Sequence, residues 1–182
     1  LAAIYTNERQ FEKAETAYSK ASNRAKSRER WFKMHSRWAE MHRLWGLAQW
    51  KDGDLSSAEE HFLRAKKLYN LSYDYGYFYL FKEWTVEYTQ LLIVYARFLD
   101  EQGRYKEAGA LYLEGSKQSN SHNLQKDTQL NLYYADHLYL HGRYVWQLRK
   151  PEEAYQMMEK SKKCLLQYRG VMQGKVDNQW HD

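Results

Sequence analysis

An all-α chain of about four antiparallel helix pairs, stacked side by side as a solenoid, is the fold the sequence predicts. Three observations carry it. First, Phe11, Ala14, Tyr18 and Ala21 share a pattern with Leu55, Ala58, Phe62 and Ala65 and with Tyr105, Ala108, Tyr112 and Gly115. Offsets of three and four place each set on one face of a helix, where a small residue lets a neighbouring helix approach and the aromatic fills the gap beside it. Second, a small residue stands 12 before the alanine every time (2 to 14, 46 to 58, 96 to 108, 142 to 154). Third, the 182 residues hold 1 proline, which leaves long stretches free to be helical. Self-similarity at an interval of 44 to 50 residues, from Ala14 to Ala58, Ala108 and Ala154, is the mark of stacked supersecondary units.

Taken in order, helices are predicted over 1–8, 11–26, 29–52, 55–71, 77–102, 105–119, 125–149 and 152–168. The first opens with Leu1-Ala2 and turns at Arg9-Gln10 into the segment that begins with Phe11. In the second pair the turn is Lys51-Asp52-Gly53-Asp54, where Gly53 accepts a positive φ without a Cβ penalty and Asp54 caps the next helix. Gly103-Arg104-Tyr105 repeats that arrangement. The fourth pair is degenerate: Lys150-Pro151-Glu152-Glu153-Ala154 makes the turn, with proline in the first helical turn, and Met158 and Ser161 take the aromatic and small places. Gly76, in the aromatic tract from Tyr73 to Phe81, and the polar cluster from Ser119 to Asn123 are expected bends. The units run about 1–27, 28–72, 77–120 and 124–168, and 169–182 reads as a C-terminal tail or the start of a further repeat. Neither end has the polar outer face of a terminal repeat, so the expectation is a fragment of a larger protein.

On these residues the chain resembles the tetratricopeptide repeat family, from Leu1 to about Leu166. The resemblance implies a right-handed α-solenoid. The alanine-to-alanine distances here are 44, 50 and 46 (14 to 58, 58 to 108, 108 to 154), longer than the family's usual unit, as in its long-repeat branch. It also implies a concave wall made by the first helix of each pair, used to bind a peptide or partner subunit. Carried across by alignment, that wall takes Glu40, Arg43, Leu47, Trp50 and Lys51 from the second unit. The third supplies Gln90, Ile93, Arg97, Asp100 and Glu101, and the fourth Asp136, Tyr139, Arg143, Trp146 and Gln147. Arginines offer bidentate carboxylate recognition and tryptophans an anchor, so an acidic partner is expected. Ala3 stands where members that clamp a C-terminal carboxylate have asparagine, which speaks against that subclass.

Charge offers an alternative. Lys20, Arg24, Lys26, Arg28, Arg30, Lys33, Arg37 and Arg43 face only Glu29 and Glu40 across residues 20–43, in a chain whose net charge is +5. Such a segment suits nucleic-acid phosphates, a solvated helix face or an acidic protein; no base-reading motif accompanies it. Trp31, Trp38 and Trp45, with Met34 and Met41 between them, form an apolar stripe read as core rather than as a ligand cage. His137 and His141 are four apart beside Asp136, but zinc needs three or four ligands, so no metal or other cofactor is expected. No nucleophile with a base, phosphate-cradling loop or catalytic carboxylate pair is legible, and no enzymatic role is expected.

The longest apolar run, Leu91 to Ala96, is far short of the roughly 20 residues that span a bilayer. No membrane association is expected. Cys164 is the only cysteine, which fits a reducing, cytoplasmic setting.

Overall fold

The computed structural model describes residues 1–24, 27–73, 81–121 and 128–179, and every element among them is an α-helix. In order these are α1 (Ala2–Asn7), α2 (Phe11–Ser22), α3 (Arg28–Lys51), α4 (Leu55–Tyr73), α5 (Phe81–Glu101), α6 (Tyr105–Ser121), α7 (Thr128–Gln147) and α8 (Pro151–Gln179). The chain forms two compact units, Leu1–Leu91 and Leu92–Asp182. Within the first, α1 packs on α2, α2 on α3 and α3 on α4; within the second, α6 packs on α7 and α7 on α8.

Helix ends depart from expectation in places. The segment expected to be helical over 11–26 stops at Ser22, and Asn23 and Arg24 form a turn before Ser27 caps α3 through its hydroxyl, which accepts from the Arg30 amide at 3.3 Å. The last helix continues to Gln179 instead of ending near 168, because each glycine inside a helix costs only about 1 kcal/mol and neither Gly170 nor Gly174 is followed by a proline. The polar cluster stays helical through Ser121. Lys26, residues 74–80 with the bend expected at Gly76, and the cluster's His122 and Asn123 lie outside the described residues.

The tight turns are where the repeat is most exact in space. Arg9, Gly53, Gly103 and Arg149 all have positive φ (57°, 85°, 74° and 58°), and each stands seven residues after its small residue, Ala2, Gly46, Ala96 or Gly142. The next amide in each turn reaches back five residues: Gln10 to Tyr5 O (2.8 Å), Asp54 to Gln49 O (2.9 Å), Arg104 to Leu99 O (2.9 Å) and Lys150 to Val145 O (3.4 Å). The positive-φ amide bonds three back in all four, which completes a Schellman motif that satisfies the last carbonyls of the helix. Then the amides of Ala14, Ala58, Ala108 and Ala154 each bond the carbonyl four before, starting the next helix. Asp54 caps α4 as predicted, its Oδ1 accepting from the Ser57 amide at 3.1 Å.

Beyond the turns, Gly46, Ala58, Ala96 and Ala108 are all buried, as their proposed role in close approach requires. A Cβ on Gly46 would stand 2.7 Å from the Phe62 ring and 3.1 Å from the Ala58 carbonyl. One on Gly142 would stand 3.1 Å from Met158 and 3.2 Å from the Ala154 carbonyl. Backbones meet at the same register in the two units. The tryptophan stripe packs as core: Met41 is fully buried, Trp45 stacks on Phe11 at 5.5 Å and Trp38 on Tyr18 at 6.2 Å. Trp84 closes the first unit, its Nε1 donating to Ser72 Oγ at 2.9 Å and to the Tyr69 carbonyl at 3.1 Å.

Candidate interaction surfaces

Histidines interleave the tryptophan stripe. Trp31, His35, Trp38, His42 and Trp45 alternate on α3, and consecutive rings lie 3.4, 5.8, 6.4 and 6.1 Å apart. Glu15 of α2 enters this ladder. Its Oε2 accepts from Trp38 Nε1 at 2.6 Å and lies 3.0 Å from His42 Nε2, off the direct line of a good hydrogen bond, while Oε1 accepts from Arg64. Burial alone would raise the Glu15 carboxyl, but His42, Trp38 and Arg64 together hold it below its ordinary range. The ring of fully buried His42 meets His61 of α4, Nδ1 to Nδ1, at 3.2 Å. One ring nitrogen must donate and the other accept, so the pair needs at least one neutral imidazole. His61 supplies it: burial, then the neighbouring His42, lowers its pKa to about 4. This network is invisible in the sequence as a site, although a histidine four after or three before each tryptophan is its only trace. It reads as a structural polar seam and presents no nucleophile.

The residues expected on the concave wall meet different fates. In the first unit Arg43 is half-buried and held by Glu40, its Nε and Nη2 donating at 2.7 and 2.6 Å, and its pKa is raised because that pairing outweighs burial. Leu47 is half-buried, Trp50 sets its ring edge-on to Phe62 at 6.4 Å, and Lys51 is exposed. In the second unit Ile93 and Asp100 are corrected. Both are buried, at 5% and 8% exposure, so neither is an exposed wall residue. Ile93 belongs to a stretch of α5 that is buried almost all round, and Asp100 is taken up by His137 of α7, whose Nδ1 lies 3.0 and 3.3 Å from its two oxygens.

That buried pair also lines a cleft of about 500 Å³ in the second unit, together with Arg97, Glu101, Tyr105, Tyr112, Tyr139 and Leu140. Arg97 and Tyr139 thus line the same cleft. Farther along α7, the Arg143 guanidinium lies 6.0 Å from the Tyr139 ring centre, and Trp146 is 60% exposed. The side chain of Asp136 lies outside the described residues. His137 and His141 do not gather further ligands; no group of three metal-ligating side chains occurs among the described residues. His141 instead stacks on Tyr105 at 5.6 Å.

The basic segment divides. Lys20, Arg24, Arg30 and Arg37 converge on one cleft of the first unit, between α1, α2 and the start of α3. Arg28 is exposed, and Lys33 is exposed with its Nζ 2.7 Å from Glu29. No helix among the described residues is long and apolar enough to cross a membrane. Comparison of the chain with protein-family models, with curated proteins and with solved structures finds no match.

Proposed function

We propose that the chain is a right-handed helical repeat array of the tetratricopeptide kind, about four pairs long, serving as a protein-interaction scaffold within a larger regulatory or assembly protein. Four turns with one hydrogen-bond pattern support the repeat reading. The observation that carries the function is the half-open cleft of the second unit, where Arg97 and Tyr139 sit with Arg143 and exposed Trp146 beyond them. An exposed tryptophan beside arginines is the composition of an interface anchor, and a monomer gains nothing by leaving that ring in water. A peptide or partner subunit with carboxylates fits it.

The test is an R97A/W146A double variant, immobilised beside the parent chain. A partner retained from native lysate by the parent and lost by the variant, with thermal unfolding unchanged, supports the site. Equal retention by both rejects it.

A further inference from the structure

The histidine seam of the first unit joins three helices at one point. His42 of α3 is fully buried against the rings of Trp38 and Trp45, whose centres lie 6.4 and 6.1 Å away. His61 of α4 is half-buried and stacks on Trp45 at 4.0 Å. The two imidazoles meet Nδ1 to Nδ1 at 3.2 Å, with ring centres 5.3 Å apart. That contact has room for one hydrogen. A single N–H points at the lone pair opposite, whereas two would meet head-on between two positive charges. A first charge is provided for: a proton on His42 is matched by Glu15 of α2, whose Oε2 lies 3.0 Å from Nε2. The same carboxylate accepts from Trp38 and from Arg64, and so ties α2 to both neighbours. The charged groups around His61 are Glu15 of α2, His42 of α3, Asp54 in the turn before α4, and Glu60 and Arg64 of α4 itself.

We propose that this seam is an acid-sensitive latch, which holds α2 and α4 to α3 while one imidazole is neutral and loosens its hold on α4 when both are protonated. The device is independent of what either unit binds. Burial and then His42, with a smaller push from Arg64, outweigh Glu60 and Glu15 and lower the pKa of His61 to about 4. A histidine in an unfolded segment takes its proton near pH 6.5, so the neutral ring stabilises the packed state fully above about that value. As the pH falls from about 6.5 towards 4, the loosened state binds a proton that the packed state refuses, and the stabilisation is lost. Glu15 adds to this in stronger acid. Its carboxyl is held below the ordinary range, so the packed state loses that support once the carboxylate is protonated. The element that yields is α4. His61 is half-buried and reaches water by a small movement of its helix, whereas His42 is enclosed. Arg64, one turn further along, leaves Glu15 in the same movement.

The experiment follows the full chain by hydrogen exchange, corrected for the intrinsic effect of pH with an unstructured peptide. From about pH 7.5 to about pH 5 the protection of α4, over 55–73, is expected to fall about tenfold or more. His61→Gln, which keeps a hydrogen-bonding group and carries no charge, is expected to hold that fall to about threefold or less. Imidazole NMR of the folded parent reads the proton itself, and His61 is expected to titrate below about pH 5. No loss of α4 protection in acid, a loss that His61→Gln leaves unaltered, or titration of His61 near pH 6.5 in the folded chain overturns the proposal. Should His61→Gln fail to fold, the parent's exchange and its imidazole titration decide between the same outcomes.

Discussion

The pairs α3/α4 and α7/α8 are built on the same backbone device and finished with different side chains. In α3/α4 the glycine meets a phenyl ring, Phe62, that is fully buried, and Trp50 sets its ring against Phe62. In α7/α8 the corresponding glycine meets the flexible Met158, which is half-buried, and the corresponding Trp146 lies 60% exposed. Both glycines approach the carbonyl of the alanine 12 residues on, at 3.1 and 3.2 Å for an added Cβ. Close approach is therefore a property of the small residues and the turn. How much aromatic surface is left for a partner depends on what fills the gap beside them.

The sharpest way to break this comparison is to remove one tryptophan from each unit. Trp84, at 2% exposure and bonded to Tyr69 and Ser72, is expected to lose about 3–5 kcal/mol on Trp84→Ala, because a large cavity opens and two buried acceptors lose one of their donors. Chemical denaturation reads that loss. Trp146→Ala is expected to change stability by no more than about 0.5 kcal/mol, as for a surface position. If the two cost the same, the distinction between an aromatic that packs and one that waits for a partner is wrong.

A smaller effect separates the glycines. Gly46→Ala places a methyl 2.7 Å from a ring that has no room to move, an overpacking cost of about 1–3 kcal/mol that exceeds the gain of about 1 kcal/mol in helix propensity. Gly142→Ala meets Met158, which bends, so the two contributions nearly cancel and the melting temperature holds. Thermal melts of both variants sharpen the comparison; a larger drop for Gly142→Ala would reverse it. The smallest effect lies in the turns. Arg149 holds the left-handed conformation that Gly53 and Gly103 adopt freely, at φ 58°. Arg149→Gly is expected to stabilise the second unit by about 1 kcal/mol, read as a raised melting temperature, because the Cβ penalty of that conformation disappears.

Much of the architecture was legible because it is local. A turn, a small residue seven before it and an alanine five after it fall within 13 consecutive residues, and their hydrogen bonds span three to five. The arginines at positive φ were not legible, since arginine carries no preference for that conformation; the turn imposes it. The fate of the wall residues was legible only in part. Arg97 and Tyr139 face one cleft, but Ile93 and Asp100 share the helix positions of exposed residues elsewhere and are buried here. Period alone does not distinguish a helix with one covered face from one covered nearly all round.

The amino-acid order by itself determined that the described chain is helical, where its tight turns fall and which small residues lie at the points of approach, because propensity, capping and helical period act over a few residues. Tertiary structure alone decided that Glu15 meets His42 and Arg64, that Asp100 meets His137, and that Lys20, Arg24, Arg30 and Arg37 gather round one cleft. Those groups stand on different helices or on different turns of one, and which of them meet follows from helix packing, a condition set by volume and contact across the whole unit.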